Sequence, residues 1–363
     1  MVWMEPQEKP LLVPRSTAWG WAARPGNWVD LRLGVDAYNA SDMSLDGLFQ
    51  WVSAPSGWEF NPQPVPVSPA DAIQMYKVKP FTMEARVDLD RLTAESRQPI
   101  QLKFVEGRRN RPHQLSVSAP VAVSDKREGP LAIDGTLSDW DDAADGIHHG
   151  PMTLMLDRPS LQKQTLRRAG SDSSLYSNWA RNHFYVAFKL DGVSAGAAGA
   201  SKVERNFVDY QLRRAWGEDL CEILIQPIYV QPGGGGQTVG QVVHLVCKPK
   251  GQLVISTKHS PKNQRLLGAA YSDVVGAKVD FANYLEGPLW RGELKIPWEL
   301  INDKDHQGMT PTLMRFNFVQ YKESTGESSS WAGPIDYGRD DAFMGLLYLR
   351  DVRSPGMGTA AGR

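Results

Sequence analysis

Leu220-Cys-Glu-Ile-Leu-Ile-Gln-Pro-Ile-Tyr229, the run Gly233-Gly-Gly-Gly236 and Val242-Val-His-Leu-Val-Cys247 read together as two alternating strands around a flexible turn. With the turn centred near Gly234, Cys221 faces Cys247, Ile223 faces Leu245 and Ile225 faces Val243, which makes one face wholly apolar. The other face carries Glu222, Leu224, Gln226, Val242, His244 and Val246, a mixed set suited to lining a binding surface. A slip of one residue would destroy the apolar match, so the pattern itself specifies the register. Cys221 and Cys247 become neighbours. They are expected as two buried thiols, with a cross-strand disulfide as the alternative, because directly paired strands strain that bond. Two cysteines in all make no disulfide framework.

Working outward, Phe184–Leu190, Gln252–Thr257, Leu289–Ile296, Leu313–Tyr321 and Gly345–Leu349 also read as strands. Helical signal is confined to Pro297-Trp-Glu-Leu-Ile301, one turn with Pro at its start. Upstream, Val29–Val35, Met83–Leu89, Ile100–Phe104 and Gln114–Val123 alternate in the same way, and Asn61-Pro-Gln-Pro-Val-Pro-Val67 suits an extended edge. The polar segment Ser124-Asp-Lys-Arg-Glu-Gly-Pro130 marks a boundary. The fold class is therefore all-β, with two sandwich domains over residues 1–124 and 131–352 and a flexible tail over 353–363. A chain of 363 residues exceeds the roughly 250 to 300 at which single cores stop growing.

A formal net charge of -1 provides no basic field for a polyanionic backbone, which argues against nucleic acid as a partner. No apolar run is long enough to span a bilayer, and the N-terminus shows no export signal. Twelve tryptophans in a chain with only 9% aromatic residues favour Trp over Tyr and Phe. Indole faces stack on the apolar faces of sugar rings, although most such residues serve as core anchors.

Several motifs follow one another in order: Ile133-Asp-Gly135 and Trp140, Phe184-Tyr-Val186 ahead of Asp191, Trp216 before Asp219 and Glu222, Glu293 with Ile296-Pro-Trp298, Phe316-Asn-Phe318, Trp331, and Phe343-Met-Gly-Leu346. On these, Leu131 to Asp351 resembles the family 9 carbohydrate-binding modules. The first domain resembles the immunoglobulin-like spacers found beside carbohydrate-active modules, on Asn39, Pro55, Gly57 and Trp58. The resemblance implies a non-catalytic protein that binds a polysaccharide or oligosaccharide, works beside carbohydrate-active enzymes, and is extracellular or attached to the cell envelope. It also implies Trp216 and Trp331 as the stacking pair and Glu222 as the hydroxyl acceptor. On the mixed hairpin face His244 and Gln226 can join Glu222, and Trp179 stands where it could replace or supplement a stacking ring. Trp140 and Trp298 are assigned to the core. The bland alternative packs Trp331 under the last loop and pairs Glu222 with a lysine.

Structural calcium is a further implication of the resemblance, with Asp139-Trp-Asp-Asp142 and Asp340-Asp341 as candidates, yet neither has the spacing of a calcium loop. His148 and His149 are adjacent, so on a strand they would face opposite sides. No nucleophile elbow, phosphate loop or zinc signature occurs. Three other classes stay open: a haem or other redox-cofactor sandwich using His244 with Met314 or Met344, an adhesion or structural protein without a working sugar site, and a glycosidase whose two carboxylates are distant in sequence.

Overall fold

The computed structural model describes residues 12–24, 28–39, 43–53, 55–61, 63–75, 77–92, 100–107, 112–117, 120–155, 168–193, 199–202, 219–230, 237–258, 272–273, 278–332 and 344–351. The N-terminal part holds β1 (Leu12–Arg24), β2 (Trp28–Asn39), β3 (Gly47–Ser53), β4 (Trp58–Phe60), β5 (Val65–Val67), β6 (Val78–Asp88), β7 (Ile100–Glu106) and β8 (Pro112–Val117). They form two four-stranded sheets, ordered β1-β2-β6-β4 and β5-β3-β7-β8. The two sheets pack face to face as a β-sandwich. Alternation drives it: Val29, Leu31, Met83, Ala85 and Val87 point inward onto Phe49, Leu102 and Phe104, while Asp30, Arg32, Glu84 and Arg86 form cross-strand ion pairs outside.

The rest of the chain contributes β9 (Val121–Lys126), β10 (Gly146–Met155), β11 (Arg168–Trp179), β12 (His183–Leu190), β13 (Gly199–Lys202), β14 (Leu220–Val230), β15 (Gln237–Val239), β16 (Val242–Cys247), β17 (Leu253–Lys258), β18 (Ser272–Asp273), β19 (Asp280–Glu286), β20 (Leu289–Pro297), the single turn α1 (Trp298–Ile301), β21 (Leu313–Lys322), β22 (Glu327–Ser330) and β23 (Gly345–Arg350). These strands hydrogen-bond into one long curled sheet. Its two halves enclose one core, with Phe184, Phe188, Trp290 and Leu294 from β12 and β20 against Ile223, Leu245, Phe316 and Phe318 from β14, β16 and β21. Trp298 and Ile301 of α1 close one side of it. The all-β reading holds throughout the described residues. No helix among them is long and apolar enough to cross a membrane.

The hairpin pairs in the register read from sequence, with Cys221 opposite Cys247, Ile223 opposite Leu245 and Ile225 opposite Val243. Both cysteines are free, fully buried thiols, and burial pushes the Cys221 thiol well above its ordinary range. Thiol titration of the denatured, unreduced protein should therefore find two reactive groups, and none would show a bridge. The glycine run at the turn lies outside the described residues.

One strand reading changes at the junction between the sandwiches. The expected single strand from Gln114 to Val123 is divided between β8 and β9, and β9 leaves the first sandwich to pair in parallel with β23 and β11. Residues 121–126 thus straddle the boundary read at residue 124. Pro120 has no N–H to continue a ladder, and its carbonyl accepts from Leu346 instead. The two parts also share apolar packing: Val121, Ile228, Leu313, Leu346 and Tyr348 join the core cluster of the first sandwich. The 353–363 tail lies outside the described residues.

Candidate functional site

Glu293 of β20 ties three of the quoted motifs together. Its buried carboxylate accepts from the backbone N–H of Asp134 at 2.9 Å, from that of Gly135, and from Trp140 Nε1 at 2.8 Å. Gly135 sits at φ 85°, and a Cβ there would lie 2.9 Å from the Asn283 backbone, so the turn demands glycine twice over. Burial raises the Glu293 carboxyl above its ordinary 4.5 even though the hydrogen bonds from Gly135, Trp140 and Asp134 pull the other way. This assembly anchors the Leu131–Trp140 segment across the outside of the sheet, over Tyr176, Tyr185 and Ala187. Trp140 and Trp298 are both buried framework, as assigned.

On the face of β14, β16 and β21 that points away from the main core, polar side chains gather. Glu222 Oε2 lies 2.7 Å from His244 Nε2, and each residue is 2% exposed. Gln226 is 3% exposed, donates to the Gly240 carbonyl at 3.1 Å and accepts from Arg315 Nη1 at 3.0 Å. Asn317, opposite Leu224, accepts from Ser330 Oγ at 3.0 Å and from the Ala332 N–H at 3.1 Å. Apolar residues flank the group, with Leu220, Val246 and Val254 on one side and Leu224, Val242 and Met344 on the other. Glu222, Gln226 and His244 of the hairpin's mixed face lie on this side of the sheet, and all three are buried. Glu222 pairs with a histidine, a partner that the sequence places beside it on the same face.

The remaining expected site residues lie elsewhere. Trp216 falls outside the described residues. Trp331 does not join Glu222: it is 8% exposed in the main core, edge-on to Phe316, on the opposite side of the sheet. Gly345 explains that placement, since a Cβ there would come within 2.7 Å of the indole. Trp179 is also core, 7% exposed, donating from Nε1 to the Ser124 carbonyl at 3.1 Å beneath the Lys126 ammonium. Arg315 and Asn317 were missed. Their signal was the pairing of Leu313–Lys322 with β14, which puts Arg315 opposite Gln226.

Of the two methionines considered as haem ligands, Met314 faces the main core and Met344 shares the His244 side. Met314 and His244 are separated by the sheet and cannot bind one iron. The imidazole Nε2 already contacts Glu222.

The acidic loop spends its carboxylates on the chain itself. Asp139 accepts from the Ala132 N–H, Asp141 from Ala143 and Ala144, and Asp142 from the Tyr176 hydroxyl at 2.7 Å. The Ala144 and Ala143 amides hold the Asp141 carboxyl below its ordinary value. No group of three or more His, Cys, Asp or Glu among the described residues is arranged to hold a metal. Asp340 and Asp341 lie outside them. His148 and His149 fall on β10 and turn to different partners, His148 to the Gly150 carbonyl and His149 to Ser174 and the Asp142 carbonyl.

No protein-family model matches the chain, and no curated protein matches it. Among solved structures, a candidate carbohydrate-binding protein from Bacteroides uniformis is similar at 14% identity and a TM-score of 0.41, over 64% of this chain and 100% of its own. A family 9 carbohydrate-binding module from Caldicellulosiruptor kristjanssonii, in complex with cellotriose, is similar at 13% identity and a TM-score of 0.37, over 67% of this chain and 100% of its own. The same kind of module from that organism in complex with glucose is similar at 13% identity and a TM-score of 0.37, over 66% and 99% of the two chains.

Proposed function

We propose that the C-terminal sandwich binds a glycan on the β14–β16–β21 face, as an accessory module outside the cell or on its envelope, with the immunoglobulin-type sandwich as its spacer. The observation that carries this is the gathering of two polar pairs on a sheet face away from the main core, Glu222 with His244, both buried, and the buried Gln226 with the half-buried Arg315. Burying such groups costs free energy that apolar residues would not, so their presence points to a task other than stability. A carboxylate, an imidazole, an amide and a guanidinium supply the acceptors and forked donors that adjacent sugar hydroxyls require. Trp216, three residues before Asp219, is proposed as the stacking ring on the strength of the motif order alone.

A glycan array with and without calcium tests ligand class and metal dependence together. Binding is expected to fall at least 10-fold in Trp216→Ala and in Gln226→Ala, about the loss of one stacking or one hydrogen-bonding contact of roughly 1.4 kcal/mol. Unchanged binding in both variants would overturn the site. A calcium-dependent signal would support the loop aspartates as ligands.

A further inference from the structure

A second cluster lies at the end of the hairpin and uses none of the residues above. His306 Nδ1 lies 2.5 Å from Asp303 Oδ1, and its Nε2 lies 3.0 Å from the Thr238 hydroxyl. A carboxylate on one imidazole nitrogen fixes the tautomer and leaves the other nitrogen as an acceptor facing a hydroxyl. This is the relation of orienting acid, general base and nucleophile in hydrolytic triads, which are recognised by geometry and not by chain order. The side chains of His306 and Asp303 remain 14% and 20% exposed, and Thr238 is half-buried, so none of the three is sealed in a core.

The surroundings hold the imidazole as a base requires. Tyr229 stacks on it at 3.9 Å with the ring planes 3° apart, an arrangement that would stabilise the imidazolium formed on proton uptake. The tyrosine is held by its hydroxyl donating to Asn302 Oδ1 at 2.6 Å, and Asn302 Nδ2 donates to the Met309 carbonyl at 2.6 Å. Among the described residues β15 pairs only with β14, Thr238 opposite Tyr229. The neighbouring bond from the Gly240 N–H to the Pro227 carbonyl fixes the alternation. Thr238 and Tyr229 are thereby a mutually bonded pair, and the Val239 N–H is left on the free edge of the sheet. An N–H on the residue after the nucleophile is the kind of donor that stabilises a developing oxyanion. Met309, bonded through its N–H to the His306 carbonyl, is an exposed apolar residue on the same loop.

We propose that Thr238, His306 and Asp303 form a hydrolytic triad for carboxylic esters. Thr238 Oγ1 attacks the carbonyl carbon as its proton passes to His306 Nε2. The bond from that carbon to the alcohol oxygen breaks, and the departing alcohol takes the proton. Water, deprotonated by the same nitrogen, then releases the acid and restores the hydroxyl. Asp303 and Tyr229 are positioning residues. The competing role is structural: Asp303 also caps the Lys304–His306 turn through the Asp305 N–H, and the three residues would then only tie that turn to β15.

The two roles separate with p-nitrophenyl acetate and the full chain. The parent protein should turn the ester over with saturation, and acid quenching should trap acetyl on the peptide containing Thr238. Thr238→Val and His306→Gln should each lower the rate at least ~100-fold, the lower end of what a positioned acid or base contributes, and Thr238→Ser should retain turnover. Parental turnover no faster than that of free imidazole at equal concentration, or an undiminished rate in Thr238→Val, would overturn the triad. If Thr238→Val melts early, acetylation of Thr238 in the parent decides alone. Glycan binding is read separately, so failure here leaves that reading standing.

Discussion

Glu293→Ala should lower the melting temperature by about 10 °C. The substitution removes the acceptor for the Asp134 and Gly135 amides and for Trp140 Nε1. Each orphaned donor costs about 1–3 kcal/mol, so the loss is roughly 4 kcal/mol, and each kcal/mol shifts melting by roughly 2–4 °C in a domain of this size. Glu293→Gln should cost about half as much, since one amide oxygen still accepts while the NH₂ group meets a donor. The pH dependence carries a sign that separates the two effects. Burial raises the folded carboxyl above 4.5, so between the unfolded and folded values the native state holds more protons than the unfolded one. The resulting contribution to stability is fully present below 4.5 and is lost as pH rises through the folded value. Denaturant melts from pH 4 upward, a range of roughly three units around the carboxylate value, should show that decline in the parent and not in Glu293→Gln. A melting temperature for Glu293→Ala within about 2 °C of the parent, less than one lost hydrogen bond, would refute the anchoring role.

Glu222→Ala should cost about 3 kcal/mol, because it strips a buried imidazole of the partner 2.7 Å away and leaves a cavity. The paired replacement Glu222→Met with His244→Leu should be close to neutral, since apolar side chains of similar volume avoid burying polar groups. If the pair is there for a ligand, the double variant keeps its stability and loses glycan binding. Equilibrium urea unfolding measures the first effect and the glycan array the second. A double variant that binds glycan as the parent does would remove Glu222 and His244 from the site, and a single variant as stable as the parent would show that the pair is not buried as described.

How far the sequence reached depended on how local each feature was. The β14–β16 register was legible because an apolar face on each strand can match in only one alignment. By contrast β11 went unread: Arg168–Trp179 is serine-rich and has weak strand propensity, and it is held as a strand by pairing with β10 and β12 on either side. Propensity yields to such tertiary pairing. The β8–β9 division was hidden for a related reason, since β9 is held by distant strands, β11 and, more than two hundred residues away, β23.

The candidate site shows the same limit. Sequence placed Glu222, His244 and Gln226 on one face, because side chains alternate along a strand whatever its surroundings. It could not tell that this face is buried, that Arg315 completes it, or that Trp331 turns to the opposite side of the sheet into the space left by Gly345. It was equally blind to Thr238, Asp303 and His306, which meet only when the hairpin end packs beside the loop after α1. From its own pattern the chain determined an all-β architecture, the hairpin register and the composition of each strand face. Tertiary structure alone decided which faces were closed and which distant side chains met, since burial and contact depend on how strands far apart in sequence assemble.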